Sequence, residues 1–488
     1  MLQNLPAEVI EATCHLLDAR SISSFTQVSC RYHRIIQQSS ALQYNIRLER
    51  AGLRDVQSPT SRHESATRLK MLTAYQAAWA NFDCQSAAVT IEMEGSYWEL
   101  VGNVIGTCSS GRFSFYRIPS PLRNVPPAQW SITDLPVEVN DFSMDLSQDL
   151  LLVVDISSQA LVIHLLSLQT GRPHSLARSP RLSRDVVEST AYSHHNFQIR
   201  IFGEYVGIMA DLDDENTEYS ELQIWNWKTG DLKKYLYGDE FTSFAFMDNR
   251  RVLISACSKR VFVPENHLEP ELRVIEIDVP RSVLDGYFSL QLPAIARQNM
   301  ADLTMLIQTE PSPSWPADSN FEEPFATCHA DRLFVVSLQG WDAFQVNKPT
   351  PTFMLCFRLS TVLNLMASPP GNRTVAWERW GPPNTRMLKV PTIPDPWVCF
   401  VYGQRCTIQM NHMQWRILDF NPLSTFERRI VHEVTVDKRR RLFTHPVSTW
   451  APIALQSLKI PPCAAVMLAE DGIVVVSPDE DSLSVFTV

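Results

Sequence analysis

One pattern recurs seven times along this chain and restricts its folding more than any other. An apolar strand meets a tight polar turn, a second apolar strand ends in small residues, and one alternating strand follows. The clearest copy runs Ala465-Val466-Met467-Leu468-Ala469, turns at Glu470-Asp471, and continues Gly472-Ile473-Val474-Val475-Val476-Ser477. The other turns lie near Gly102-Asn103, Gln148-Asp149, Gly203-Glu204, Asn249-Arg250, Asp331-Arg332 and Gly403-Gln404. The alternating strands are expected at 113–118, 161–168, 222–227, 272–277, 353–359, 413–420 and 483–488. A unit this small cannot bury its own apolar faces, so neighbouring copies have to stack on one another.

Two copies agree in detail. Leu222-Gln223-Ile224-Trp225-Asn226-Trp227-Lys228-Thr229-Gly230 matches Ile163-His164-Leu165-Leu166-Ser167-Leu168-Gln169-Thr170-Gly171 position for position. Both resemble the third strand and following turn of a WD-type blade, with Asn226 or Ser167 where that family often has aspartate. The first four turns are about 45–55 residues apart, near the ~40–45 of such a blade, and the later ones about 70–80. Insertions account for the excess, above all Pro311-Ser312-Pro313-Ser314-Trp315-Pro316 and the proline-rich block 368–396, both expected as surface loops or tails of blades. The implied fold for 85–488 is a large all-β domain, a β-propeller of about seven blades with eight as the alternative count, since a ring leaves no long exposed sheet edge. Two stacked sandwiches are the rival all-β arrangement. Ring closure is expected where 89–93 joins 483–488.

The first 84 residues read differently, as short helices. Pro6 suits a first helical position, and Val9, Ile10, Leu16 and Leu17 follow at helical spacing. Ser21 is expected to cap a second helix with Ile22, Phe25 and Val28 on one face, and Ser29 a third with Ile35 and Ile36. Ser40 would cap a fourth, stopped by Gly52, and Ser61 with Glu64 forms a capping box for a fifth carrying Leu69, Leu72, Tyr75 and Trp79. Helices below about 12–15 residues are marginal alone. They need a partner, either the rest of the chain or another protein.

Leu5-Pro6-Ala7-Glu8-Val9-Ile10, then Leu16-Leu17, Ile22, Phe25 and Val28-Ser29-Cys30, resembles an F-box in register over about thirty positions. Phe25 stands where that family often has leucine, and Tyr32-His33 where it has an aromatic or bulky residue. Residues 42–79 resemble, more loosely, the linker of fungal F-box proteins. The organisation expected is an F-box module at 1–50, a helical linker or spacer at 51–84, and the propeller at 85–488. The resemblance implies a substrate receptor of a Skp–cullin–F-box ubiquitin ligase. Leu5, Pro6, Val9, Ile10, Leu16, Leu17, Ile22, Phe25 and Val28 would lie in an apolar groove of the Skp-family adaptor, with Glu8, Arg31 and His33 as polar rim contacts. The adaptor would connect the chain to a cullin, and the propeller would hold a protein substrate. The alternatives are an F-box scaffold outside ubiquitination and a propeller-type hydrolase.

Composition narrows the partners. A formal charge of −10 disfavours a broad nucleic-acid footprint. The 16 glycines are few for phosphate-cradling loops, whereas 32 prolines suit many rigid turns. Ten cysteines without any Cys-x-x-Cys read as reduced thiols of a cytoplasmic or nuclear protein. No secretory signal is expected, because Pro6 and Glu8 interrupt the start. Residues 150–166 are apolar enough to suggest a membrane span, but Asp155, Ser157, Ser158, Gln159 and His164 divide them into two strands around a turn.

Chemistry-bearing motifs are missing: no Gly-x-Gly-x-x-Gly, Walker loop, Gly-x-Ser-x-Gly, His-Glu-x-x-His or paired-cysteine zinc spacing occurs. No catalytic, metal or cofactor residue is assigned. His194-His195 is expected in a solvated loop. Asp211 to Asn216 fails as a calcium loop, because Asn216 replaces the required glycine and Leu222 the glutamate; a solvated acidic loop is expected. Lys438-Arg439-Arg440-Arg441 reads as a charged turn between the arms 434–436 and 442–443, with a nuclear-import signal as the sharper alternative. Trp315, Trp377 and Trp380, in proline-rich segments, are the candidate exposed anchors.

Overall fold

The computed structural model describes the chain except residues 1–4, 57–63, 83–88, 94, 96, 134, 136, 158–159, 186–190, 215–216, 258–266, 279–286, 297–299, 311–322, 343–350, 368–372, 393, 395–397, 412–413, 425–427 and 440. Seven sheets of four or five strands, antiparallel but for one added strand of blade 4, follow one another in a ring, each numbered here as a blade from its innermost strand outward. Blade 1 comprises Tyr97–Val101, Val104–Ser109, Arg112–Arg117 and Ala128–Ile132, and blade 2 Asp141–Asp145, Leu150–Ser157, Ala160–Ser167 and Arg181–Asp185. Blade 3 (Ala191–Phe202 to Asp231–Gly238) and blade 4 (Phe241–Phe246 to Phe288–Gln291) continue the order. Blade 5 runs Met300–Gln308, Leu333–Asp342, Thr352–Arg358 and Arg386–Val390. Blade 6 begins at Val401–Tyr402, and blade 7 at Ala465–Ala469. The protein is a seven-bladed β-propeller with small N-terminal helices.

Closure follows the expected seam. Val89–Glu92 forms the outer strand of blade 7, with Val89 opposite Val485 and Ile91 opposite Leu483. The first and last strands of the ring thus share one sheet, and separating them would expose the edges of blade 7. The inner hairpins also lie where the repeats place them, with Val101 opposite Val104, Phe202 opposite Tyr205, and Ala469 opposite Gly472. Blade 5 departs from the tight turn expected at Asp331-Arg332. Its first two strands are joined by residues 309–332, and Phe325–Thr327 within that insertion pairs with Leu53–Asp55 from the N-terminal region. Blades 4 and 6 take a fifth strand each, Thr374–Val375 in parallel and Arg428–Ile430 antiparallel.

Five helices precede the ring: α1 (Ala7–Cys14), α2 (Ala19–Thr26), α3 (Cys30–Gln38), α4 (Ser40–Ala51) and α5 (Ser65–Ala80). Several caps shift from the sequence expectation. Pro6 is the N-cap of α1, one residue before the helix. Asp18, not Ser21, caps α2: its carboxylate accepts the Ser21 N–H at 2.6 Å, because a side-chain acceptor has to lie about three residues before the orphan donor. Ser29 caps α3 as expected, whereas Ser39 rather than Ser40 caps α4. Gly52 ends α4 at φ +67°, where a side chain would be strained. Glu64 precedes α5 with no side-chain cap, and Ser61 lies outside the described residues.

The fifth helix stacks the N-terminal module onto the propeller, as expected, and α4 joins it. Tyr44, Leu48, Leu72, Tyr75 and Trp79 of α4 and α5 form one apolar cluster with Phe325, Trp415, Leu468, Ile473 and Phe486 of the ring. Tyr44 Oη lies 2.7 Å from the Pro324 carbonyl, and Arg68 binds both Asp55 carboxylate oxygens at 2.7 and 2.9 Å. The contact covers the end of the ring that carries the inner hairpin turns.

Other expectations change for packing reasons. Trp377 and Trp380 are not exposed anchors: they lie on a helix (Trp377–Asn384) and are buried in the core of blades 4 and 5, Trp380 completely. Part of that proline-rich block is also the outer strand of blade 5, Arg386–Val390. Trp315 lies outside the described residues. His194 and His195 belong to the inner strand of blade 3, beside a register irregularity between Tyr192 and Phe197, and not to a loop. Asp211 to Asp214 likewise end a strand, and 215–216 lie outside the described residues. Residue 440 lies outside the described residues, and Lys438 and Arg439 do form a turn. Its second arm, however, is Val447–Thr449, because the Asp437 carboxylate folds the chain back by accepting the N–H groups of Arg441, Leu442 and Phe443.

Candidate functional site

The N-terminal helices have a small core of their own. Ile10, Cys14, Ala19, Ile22, Tyr32, Ile36, Leu42 and Ile46 are buried together, with Leu5, Phe25 and Ile35 packed against them. Phe25 and Tyr32 stack at 4.4 Å between ring centres. Polar ties hold the helix ends: Glu49 accepts the Ala19 N–H at 2.7 Å, and Arg31 donates to the Leu5 carbonyl at 2.6 Å.

With that core complete, four apolar side chains are left over. Leu16 is 86% exposed, Val28 65%, Val9 44% and Leu17 40%. Val9 stands on α1, Leu16 and Leu17 follow it, and Val28 sits in the turn between α2 and α3. Single exposed aliphatics are ordinary; four on one small module exceed what its own fold uses. Pro6, Glu8, Arg31 and His33 are exposed as well. Ile10 and Ile22 are not available to a partner in this arrangement, because they hold the three short helices together. Leu5 and Phe25 are only partly accessible.

Sequence reasoning missed the seam that orients these helices on the ring. Arg123, in the loop after the third strand of blade 1, is completely buried and binds Asp471 at 2.6 Å, Glu323 at 2.7 Å and Glu470 at 3.0 Å. It also donates to the Phe325 carbonyl. Asn103 joins Asp471, and Tyr75 Oη of α5 donates to the Glu470 carbonyl at 3.0 Å. Burial pushes the Asp471 carboxyl up against the pull of Arg123. Burial would raise Glu470 too, but Arg123 and the Thr327 N–H hold it below the usual carboxylate range. No local signal marks this cluster, since its members come from five separate segments.

Among the described residues, no group of three or more His, Cys, Asp or Glu side chains is placed to hold a metal ion. No protein-family model matches the sequence, and no curated protein matches it. Solved structures are similar in outline. Hydrazine synthase of Kuenenia stuttgartiensis is 10% identical, covering 83% of this chain and 98% of that one at a TM-score of 0.37. Hsv2 of Kluyveromyces lactis is 8% identical over 80% and 91% at 0.34. The β-propeller domain of Nup133 from Vanderwaltozyma polyspora is 8% identical over 82% and 97% at 0.32.

Proposed function

We propose that this chain is the substrate-recognition subunit of a Skp–cullin–F-box ubiquitin ligase, working in the cytoplasm or nucleus. The observation that carries the reading is the leftover apolar surface at Val9, Leu16, Leu17 and Val28, on helices whose sequence resembles an F-box. A Skp-family adaptor would bury these side chains, each contributing about 1.5–3 kcal/mol when fully covered. Pro6, Glu8, Arg31 and His33 would form the rim. The propeller would hold a protein substrate on the ring end away from the helices. The chain would perform no covalent chemistry; it would raise the local concentration of a substrate lysine near the ubiquitin carrier.

Co-purification tests this. The wild-type chain is expected to capture a Skp-type adaptor, and Val9→Asp or Leu16→Asp to lose it while the propeller stays folded. Capture that survives both substitutions would overturn the proposal. Accumulation of a cellular protein when capture is abolished distinguishes a ligase receptor from a scaffold.

A further inference from the structure

Three neighbouring blades leave a socket on the end of the ring away from the helices. The inner turn of blade 7 meets α5 through the Glu470 carbonyl, so the opposite strand ends mark the free end. There Val390 ends the outer strand of blade 5 opposite Thr352, and Ala465 opens the innermost strand of blade 7 opposite Val476. Trp415 stands near the start of the third strand of blade 6. Between these three blades lies a cavity of about 100 Å³. Its floor is apolar and buried: Met354, Val390, Phe400, Ile408, Trp415 and Val466. Its mouth is not, since Thr392, Ala464 and Glu480 line the same cavity and are exposed to solvent.

The floor offers little to a polar guest. The Val466 carbonyl is taken by the Thr407 hydroxyl at 2.7 Å, and the Trp415 indole N–H by the Cys463 sulfur. Close-packed interiors leave few voids larger than a water molecule, and a water needs two to four polar partners to settle in one. Size narrows the guest further. An apolar cavity of about 150 Å³ takes up the six carbons of benzene. About 100 Å³ then suits the four carbons of a leucine side chain.

The mouth carries charge of one sign. Asp479, Glu480 and Asp481 are consecutive exposed residues of the turn that leads into the last strand. That turn is held fast: the Ser477 hydroxyl donates to the Asp481 carboxylate at 2.7 Å and accepts the Asp481 and Ser482 N–H groups at 3.0 Å. The Glu480 N–H returns to the Ser477 carbonyl at 3.0 Å, with Glu480 at φ +57°, a conformation uncommon outside glycine. No cation among the described residues pairs with Asp479 or Glu480. At physiological salt exposed charges act over about 8 Å, so only a charge in the segment seated at the mouth would sense these carboxylates.

We propose that the socket takes one leucine-sized aliphatic side chain from a segment of a partner protein, with an adjacent arginine or lysine lying against Glu480 and Asp479. Binding pockets commonly combine an apolar lining with a few polar groups that fix orientation, and the two parts are both present here. The inference rests on reading the propeller as a protein-binding domain, and it names the chemistry of what that domain grips.

The test uses the full chain and fluorescein-labelled peptides Gly-Ser-X-Z-Ser-Gly, read by fluorescence anisotropy. The pair X-Z is leucine-arginine, serine-arginine, tryptophan-arginine or leucine-glutamate. The leucine-arginine peptide is expected to bind at least about tenfold tighter than each of the others. Ala464→Trp, which blocks the mouth from an exposed position, should remove the preference for leucine over serine, and Thr392→Trp should do the same from blade 5. Asp479→Asn with Glu480→Gln should bring the arginine and glutamate peptides to within about threefold of each other. Leu423→Ser, two residues past the Asn421 contact with α4, should change neither preference. Equal binding of the leucine and serine peptides, tighter binding of the tryptophan peptide, no preference for arginine over glutamate, or a leucine preference that survives both blocking variants would overturn the socket. So would a self-associated chain that Ala464→Trp returns to monomer in sedimentation, since a second copy would then be the occupant. Adaptor capture is independent of it. Capture without leucine preference overturns the socket alone, and leucine preference without capture overturns the ligase reading alone.

Discussion

Arg123 and Asp471 meet at 2.6 Å with both side chains completely buried, joining a loop of blade 1 to the inner turn of blade 7. The pair lies beneath α5, whose Tyr75 reaches the same turn through the Glu470 carbonyl. One guanidinium therefore holds three carboxylates and the blade 5 insertion at Phe325, beneath the helices that rest on it. Burial makes this junction sensitive to the loss of either partner.

Arg123→Met should destabilise the protein by about 3–5 kcal/mol, since it leaves Asp471 and Glu470 buried without a counter-charge. Denaturant unfolding measures the change. Asp471→Asn on the Arg123→Met background should recover part of it, because a neutral amide no longer needs the guanidinium. Equal stability of the single and double variants would mean that the charge is not what matters at this site.

Trp380→Ala should cost about 3–5 kcal/mol. The ring is enclosed edge-to-face by Phe357 and Trp377, and its Nε1 donates to the Gln291 carbonyl at 2.8 Å. Thermal melting distinguishes this from an exposed anchor, whose truncation would leave the melting temperature unchanged.

On the N-terminal helices, Leu16→Ala and Val28→Ala should alter stability by no more than about 0.5 kcal/mol. Ile22→Ala should cost about 2–5 kcal/mol of the helical core. Hydrogen exchange across α1 to α3 reports both. The contrast separates residues that hold the module together from residues free to meet a partner.

The pH dependence of folding should carry the mark of two carboxyls on the innermost strands, Glu99 of blade 1 and Asp141 of blade 2. Glu99 and Asp141 have folded pKa values raised above those of an unfolded carboxyl. The folded state therefore keeps protons that the unfolded chain has released, and their contribution weakens as pH rises from the ordinary carboxyl range through about 7 and about 8. Glu99→Gln cannot titrate and should flatten that decline in urea midpoints measured across the interval. An unchanged slope would place the titration elsewhere.

Legibility differed from one part to another. The inner hairpins and the strands after them were readable because each blade repeats a period-two pattern around a turn that needs particular residues, such as Gly203 with its positive φ. Helix starts were readable only to within about three residues, since Ser21, Ser40 and Asp18 are all acceptable caps and packing chose between them. Trp377 and Trp380 misled because proline usually signals a surface loop. Here Pro382 and Pro383 sit within a short helix whose aromatic face is covered by blades 4 and 5.

By itself, then, the sequence determined the repeated strand unit, a count of about seven blades with eight left open, the strand that closes the ring and the helical character of the start. All of these depend on local periodicity and on which residues tolerate a turn. Tertiary structure decided the rest: which apolar residues of the first helices are spent on their own core, which end of the ring they cover, and which polar side chains meet at Arg123 and around Glu99. Those relationships join residues hundreds of positions apart, and only the closing of the ring brings their charges within reach of one another.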